Sequence, residues 1–465
     1  MPESVDTERL GDVRQATLLA SSLAFFVILL DTSIVNLALA QMQQSLATEL
    51  SGLQWIVDLY ALSFASLLLT GGTLADKFGA QKLFLTGIGV FTASSVLCGV
   101  APNLGWLLAG RVLQGVGAAL LLPASLTLLR TAFPDPKERA RAVGIWIAAG
   151  GIANAVGPSL GGMLITAFSW RVIFLVNLPV GSLLIWLAAS RVLRPKGDEG
   201  RRLDWTGQIF VIAALGSFTW ALIEQASLGF GSLWIWLAIS LGIVASIGFW
   251  QIESSSVEPM LPFDLFRQNG SVRISVIALL HNLGIYGQLF VAGLFLQQIL
   301  HFTPMAAGLV LLPMTVLIAI CAFVSGRLTA QLGPYIPLNI GHLLGAAGAS
   351  AMIIAARHPE GTPLALIVIC LATVGAGAGL ASPPMTAALL AALPQDRSGL
   401  AGGLLNTSRQ IGNVIGIAVL GATISHFGGP LVVTGYQYSW LIAAMALGLN
   451  VVLGIPRSAL ARNPA

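Results

Sequence analysis

Runs of about twenty apolar residues recur fourteen times along this chain, and that repetition leaves few folds open. They lie at approximately 16–40, 54–75, 83–101, 105–130, 141–165, 172–191, 205–223, 233–250, 272–299, 306–326, 336–356, 363–390, 402–425 and 437–455. At about 1.5 Å per residue, a helix of about twenty residues crosses the hydrocarbon of a bilayer. A single such run can be a buried core helix, but fourteen of them in 465 residues leave too little polar sequence to cover them. Only 9% of the residues are charged, against about 25% in an ordinary soluble domain. The expected fold is therefore all-α and polytopic, because a helix pairs its backbone polar groups within one segment.

The remaining composition narrows the function. The 23 basic residues give a formal net charge of +4, but they are scattered and carry no interleaved aromatics, which excludes nucleic acid as a partner. Cys98, Cys321 and Cys370 all fall in apolar runs without metal-ligand spacing, so they read as small buried side chains. No GxxxxGK[ST] loop is present to bind ATP. The opening MPESVDTERLGDVRQ is polar, and the run after it lacks a small-residue cleavage pattern, so the first run is expected to be retained.

Basic residues set the orientation. If the N-terminus is cytoplasmic, the connections after even-numbered helices and the two termini hold nineteen of the 23 Lys and Arg residues. Only Arg171 and Arg357 fall on the other side, while Arg111 and Arg409 lie inside runs. That positive-inside bias predicts an inner-membrane protein with both termini cytoplasmic.

Two weak repeats relate the halves. Gly72, Leu74, Gly79 and Gly87 recur as Gly326, Leu328, Gly333 and Gly341, and Gly144, Asn154 and Gly157 recur as Gly403, Asn413 and Gly416. Offsets of 254 and 259 residues are too long for six tightly connected helices. They predict a cytoplasmic N-terminus at 1–15, a six-helix bundle at 16–191, a loop at 192–204 and two additional helices at 205–250. A loop at 251–271, a second bundle at 272–455 and a cytoplasmic tail at 456–465 follow. Related halves with binding between them are a recurring transporter plan.

Five motifs then appear in order: LLDTSIVNLAL (29–39), GGTLADKFGAQK (71–82), RVLQGVGAA (111–119), AVGPSLGG (155–162) and WRVIFLVNLPVG (170–181). Together they resemble the fourteen-helix drug:proton antiporters of the major facilitator superfamily, a branch that includes multidrug and quaternary-ammonium exporters. The resemblance spans essentially the whole chain. It departs at Ala80 and Gln81, where the family commonly carries basic residues, so the loop's charge network should be weaker. The resemblance implies export of amphipathic or cationic drugs driven by the proton gradient, with no cofactor, metal or enzyme activity. In a two-membrane envelope a periplasmic adaptor and outer-membrane channel could extend the route. A dedicated exporter of one antibiotic, siderophore or sugar shares the same motifs; a channel or an enzyme accounts for them less well.

The candidate residues follow from charge and depth. Asp31 stands fifteen residues into the first run, past the midplane, where an unpaired carboxylate is expensive. Exposure to a wet cavity and withdrawal from it would change its proton affinity, which suits proton coupling. Packing is the competing role. Arg111 needs a partner; the resemblance implies a part in proton transfer, and a clamp on first-helix carbonyls is a compatible second role. Asp58 and Glu224 are further acids near the outer helix ends, each open to an interfacial reading, and Arg409 reads as snorkelling towards the cytoplasm. The resemblance implies gating at the loop after helix two, marked by Gly72, Asp76, Gly79, Lys82 and Arg141, where Asp76 could accept from neighbouring helix ends or pair with Lys82 or Arg141; a plain solvated loop is the alternative. Gly157, Pro158, Gly161 and Gly162 mark a kinked, closely packed helix five. Substrate contacts are expected from Asn36, Trp55, Gln114, Trp220, His281, Asn282, Tyr286, Gln288, Gln297 and Asn406. Trp106, Trp170 and Trp234 read as interface anchors. No Asp or Glu occurs in the last six runs.

Overall fold

The computed structural model describes residues 3–192, 197–198, 203–256, 270–359, 361–392, 398–427 and 429–455. Within them the apolar runs become α1 (Glu3–Ser45), α2 (Leu50–Phe78), α3 (Ala80–Gly99), α4 (Leu104–Ala132), α5 (Pro136–Ala167) and α6 (Val172–Arg191, interrupted at Val176). Then come α7 (Trp205–Leu228), α8 (Leu233–Ser255), α9 (Ser271–Ile299), α10 (Pro304–Leu332), α11 (Tyr335–Ala355), α12 (Leu364–Ala392), α13 (Ser398–His426) and α14 (Val432–Leu453). Thirteen are long and apolar enough to cross a membrane; α13 is as long as α12 but more polar. Most of the 192–204 and 251–271 loops and all of the 456–465 tail lie outside the described residues.

Several helices outrun their apolar cores because polar residues cap them. Asn103 accepts from the Trp106 N–H, Asp135 from Lys137 and Glu138, Asp204 from Gly207, and Thr303 from Ala306. Each side chain satisfies a donor left unpaired at a helix start. The largest departure is α1, which begins at residue 3 where a separate polar segment was expected through 15. Arg14 on that extension pairs with Glu138 at the start of α5, 3.3 Å away.

Two six-helix bundles, α1–α6 and α9–α14, share one packing scheme. The pairs α3–α4, α2–α4 and α1–α5 in the first recur as α11–α12, α10–α12 and α9–α13 in the second. The repeated glycines explain the match. Gly79 and Gly333 end α2 and α10 with φ of +90° and +76°, a region that favours glycine. A methyl on Gly87 would lie 2.9 Å from the Leu121 nitrogen of α4, and one on Gly341 would lie 2.7 Å from the Ala381 nitrogen of α12. α7 and α8 form a hairpin, and α7 lies across the seam between α2 and α13.

The apolar core shows where the bundles join. At the end remote from the termini one cluster runs through both, from Ile34, Leu37 and Ile56 to Phe290, Phe295 and Leu420. At the terminus-bearing end it divides in two, one cluster around Ile28, Phe84 and Leu121, the other around Ile277, Leu338 and Met385. Trp170 belongs to the shared core: it is buried, and its indole N–H donates to Ser45 at 2.8 Å, which overturns the interface reading. Trp106 and Trp234 are exposed.

Candidate functional site

Asp31 projects from α1 into the interior of the first bundle, and three side chains from two helices converge on its carboxylate. Arg111 of α4 donates from Nη1 to Oδ2 at 2.5 Å; Gln114, one turn further along α4, donates to Oδ1 at 3.1 Å; Asn177 of α6 donates to the same oxygen at 3.2 Å. Ser95 of α3 accepts from both amides, at 2.8 and 3.2 Å. Arg111 is fully buried, with its guanidinium 4.3 Å from the centre of the Tyr60 ring. Its Nε donates to Ile56 O of α2 at 2.9 Å, so the carbonyl it clamps belongs to the second helix and not the first. A buried ion pair is costly to assemble and more costly to break on one side.

Asp58 is fully buried on α2, where a shallow interfacial residue was the alternative. Neither of its oxygens has a partner among the described residues, so an ionised carboxylate there would be uncompensated. Glu224 is half-buried at the end of α7; its carboxylate accepts from Trp55 Nε1 at 2.8 Å and from Ser227 at 3.2 Å. Trp55 and Glu224 thus tie the hairpin to α2.

Where the bundles meet, Thr32, Asn36, Tyr60 and Arg111 from the first face Tyr286 and Asn413 from the second across a narrow cleft. The Asn36 and Asn413 side-chain oxygens are buried acceptors with no partner among the described residues. Beside this cleft a cavity of about 690 Å³ lies between α2, α7, α8 and α13, lined mainly by apolar groups such as Leu62, Phe218, Ile235 and Ile415, with Gln225 and His426 among the polar ones. Nothing in the hydropathy pattern signalled that cavity.

The other expected contact residues disperse. His281 lies inside the second bundle, 3.2 Å from His342. Asn282 donates to Arg409 O, and Gln297 to Gly293 O within its own helix. Gln288 is fully buried with neither amide atom partnered among the described residues, while Trp220 and Asn406 are half-buried outside the cleft lining. Arg409 turns inward to Ser382 O and Thr386 Oγ1, at 3.2 and 3.3 Å, which replaces the snorkelling expectation.

The helix-five motif lies on two surfaces at once. Gly157 and Gly161 face Ser33 and Ile34 of α1, whereas Gly162 abuts Pro304 and Met305, and the Pro158 carbonyl meets Gly308 of α10. Ser159 donates to Gly308 O and Thr315 to Ala155 O, joining the bundles further. At the α2–α3 turn Gly71 packs on the Ala119 carbonyl, with Gly72 more loosely placed against Pro123. Asp76 is exposed and its carbonyl accepts from the Asp198 N–H. Lys82 and Arg141 are exposed; the side-chain ion pairs among the described residues are Arg14–Glu138 and Arg111–Asp31. Gln81, a departure from the motif, is buried and donates to Ala188 O at 2.6 Å.

The family model described as Major Facilitator Superfamily matches residues 21–417 and 274–463. The chain belongs to the major facilitator superfamily. Among curated relatives, the Multidrug resistance protein Stp of Mycobacterium tuberculosis is 36% identical over 410 residues, 88% of this chain and 75% of that protein. The Methylenomycin A resistance protein of Streptomyces coelicolor is 36% identical over 437 residues, 94% of this chain and 90% of that one. Among solved structures, the nucleoside transporter NupG covers 94% of this chain and 98% of its own with a TM-score of 0.67 at 12% identity. A bacterial homolog of the lysosomal transporter Spinster, solved inward-facing and unoccupied, gives 0.67 at 17% identity, covering 95% and 96%. At such identities these two show the fold alone.

In this major facilitator chain, Asn177, Ser95 and Tyr60 around Asp31, and Thr32 and Asn413 in the cleft, are site residues that the sequence reading missed. Asn177 lies inside WRVIFLVNLPVG, where a lone amide in an apolar run was a usable signal. Ser95 and Tyr60 gave none, since serine and tyrosine are ordinary inside membrane helices.

Proposed function

We propose that this chain is a proton-driven exporter of amphipathic or cationic drugs in the inner membrane, with both termini cytoplasmic and no cofactor. The observation that carries the reading is the buried Asp31–Arg111 pair at the edge of a cleft between two related bundles. Asp31 takes a proton when the bundles separate and water reaches it, and releases the proton when it returns to Arg111, Gln114 and Asn177. In the cleft, the unpartnered oxygens of Asn36 and Asn413 suit an ammonium or amide donor, and the Tyr286 ring suits a flat cation. The lateral apolar cavity has room for a lipophilic body. Relatives named for multidrug resistance and for a drug efflux pump support the class.

Gating rests on the glycine contacts of α5 with α1 and α10 and on the α2–α3 turn. In a two-membrane envelope the expelled compound would pass to an adaptor and an outer channel. A second reading, export of a single antibiotic, is favoured by relatives named for resistance to methylenomycin A, tetracenomycin C and puromycin. Purified protein in liposomes under an imposed proton gradient separates the two. Movement of several unrelated dyes, quaternary amines and antibiotics supports the first reading, and movement of one compound alone replaces it with the second. A reporter fused after Pro464 and active only outside the cell would overturn the orientation.

A further inference from the structure

The second bundle contains no carboxylate in any of its helices, yet it buries two histidines in contact. His281 of α9 and His342 of α11 are 3% and 1% exposed, with Nδ1 of the first 3.2 Å from Nε2 of the second. Their position is not arbitrary. Gly157 of α5 and Gly416 of α13 are matched by the internal repeat, and they pack on Ser33 and Leu283. Asp31 stands two residues before Ser33, and His281 stands two residues before Leu283. His281 is therefore the counterpart of Asp31 in the second bundle. The last helix of each bundle adds an asparagine to the network, Asn177 beside Asp31 and Asn450 beside His342.

Counting hydrogens around the pair finds a place for one more. Asn450 Nδ2 donates to Ile277 O at 3.1 Å, which fixes the amide orientation, and lies 3.3 Å from His342 Nε2, which must then offer a lone pair. His342 then carries its own hydrogen on Nδ1, and the hydrogen between the two rings sits on His281 Nδ1, which shares the single His342 Nε2 lone pair with Asn450. His281 Nε2 is 3.3 Å from Ser382 Oγ, but the single Ser382 hydroxyl hydrogen is directed to Ala378 O at 2.9 Å. With neutral His281 the hydroxyl must abandon Ala378 O or leave Nε2 unpaired. A proton on Nε2 donates to Ser382 Oγ and lets the Ser382 hydroxyl keep its bond to Ala378 O.

We propose that the His281–His342 pair is a second proton-binding site, placed in the second bundle where Asp31 stands in the first. The proposal rests on the proton-driven reading above and adds a site to it. The charged and titratable groups around the pair are few. α13 supplies Arg409, whose Nη2 donates to Ser382 O; α9 itself supplies Tyr286; α12 and α14 supply only the neutral Ser382 and Asn450. Arg409 and burial both oppose a second positive charge, while water entering between the bundles favours it. Occupancy of the site therefore depends on which side the bundles open. Tyr286 lies five residues along α9 from His281, about 7.5 Å of rise, so a cation in the cleft and a proton on His281 repel one another. Exchange of the one for the other is what antiport requires.

The test uses the full-length chain in lipid nanodiscs, labelled with 15N-histidine, with His281→Gln identifying the resonance. Its expected behaviour is to pass from neutral ring to imidazolium as the pH is lowered from about 8 to the acid limit at which the protein stays folded. His342→Gln, which removes the ring partner, is expected to displace that transition. A His281 ring that stays neutral throughout overturns the proposal whether or not the protein transports anything. In proteoliposomes, His281→Gln is expected to move one proton fewer per ethidium than wild type at flux reversal, and an unchanged ratio also overturns it. If wild type moves no ethidium, the multidrug reading fails, and the nitrogen titration still decides the proton site.

Discussion

Replacing Gly162 by alanine tests whether the helix-five motif seals the two bundles together. The added methyl would meet the Pro304 carbonyl oxygen first, with the carbonyl carbon 2.9 Å and the Met305 Cα 3.0 Å away, all backbone atoms of the other bundle. Ordinary contact begins at 3.4 Å, so relieving the overlap with the carbonyl oxygen requires the bundles to separate locally by more than about 0.5 Å or the helices to bend. Overpacking of this kind costs about 1–3 kcal/mol. Because the contact exists only while that end is closed, the cost falls on the closed state and shifts the equilibrium toward opening by about fivefold to 150-fold, at about 1.4 kcal/mol per decade. Spin labels at the exposed Gln44 and His301, at the end remote from the termini, should report a longer-distance population that grows in Gly162→Ala. Gly161→Ala is the comparison, because its methyl meets Ile34 within the same bundle. Equal distance distributions in wild type and Gly162→Ala, with unchanged transport, would refute the sealing role.

Two further substitutions address the acids. Asp31→Asn removes the charge that compensates a fully buried Arg111, so it should lower stability by about 3–5 kcal/mol and abolish uphill export while leaving substrate exchange without a gradient. Adding Arg111→Gln should restore part of the lost thermal stability, and a double variant less stable than the single one would show that the pair is not the source of the loss. Asp58→Asn, by contrast, breaks no hydrogen bond among the described residues, so its melting temperature should match or exceed that of wild type. A drop of several degrees would reveal a partner or a bound ion at Asp58.

Helix number and motif order were legible because both are local. A bilayer-spanning run declares itself within about twenty residues, and the repeated glycines marked two related halves because only glycine tolerates the turns at Gly79 and Gly333. The first helix was misjudged for the complementary reason: residues 3–15 are polar, and their helical course follows from continuation of α1 and the contact of Arg14 with Glu138.

Sequence by itself determined that this chain must live in a bilayer, that it is built from two related bundles, and that Asp31 and Arg111 each need a partner. Only the tertiary structure decided which partners they have. Asp31 meets Arg111 eighty residues away, and Asn177 reaches it across 146. Gln54 joins the bundles through a carbonyl 364 positions on. Hydropathy is a property of a segment, whereas pairing inside a membrane depends on how far each helix is rotated and shifted against its neighbours. That rotation and register are fixed here by close glycine contacts such as Gly115 on Tyr60 O and Gly162 on Pro304, between residues that no local pattern connects.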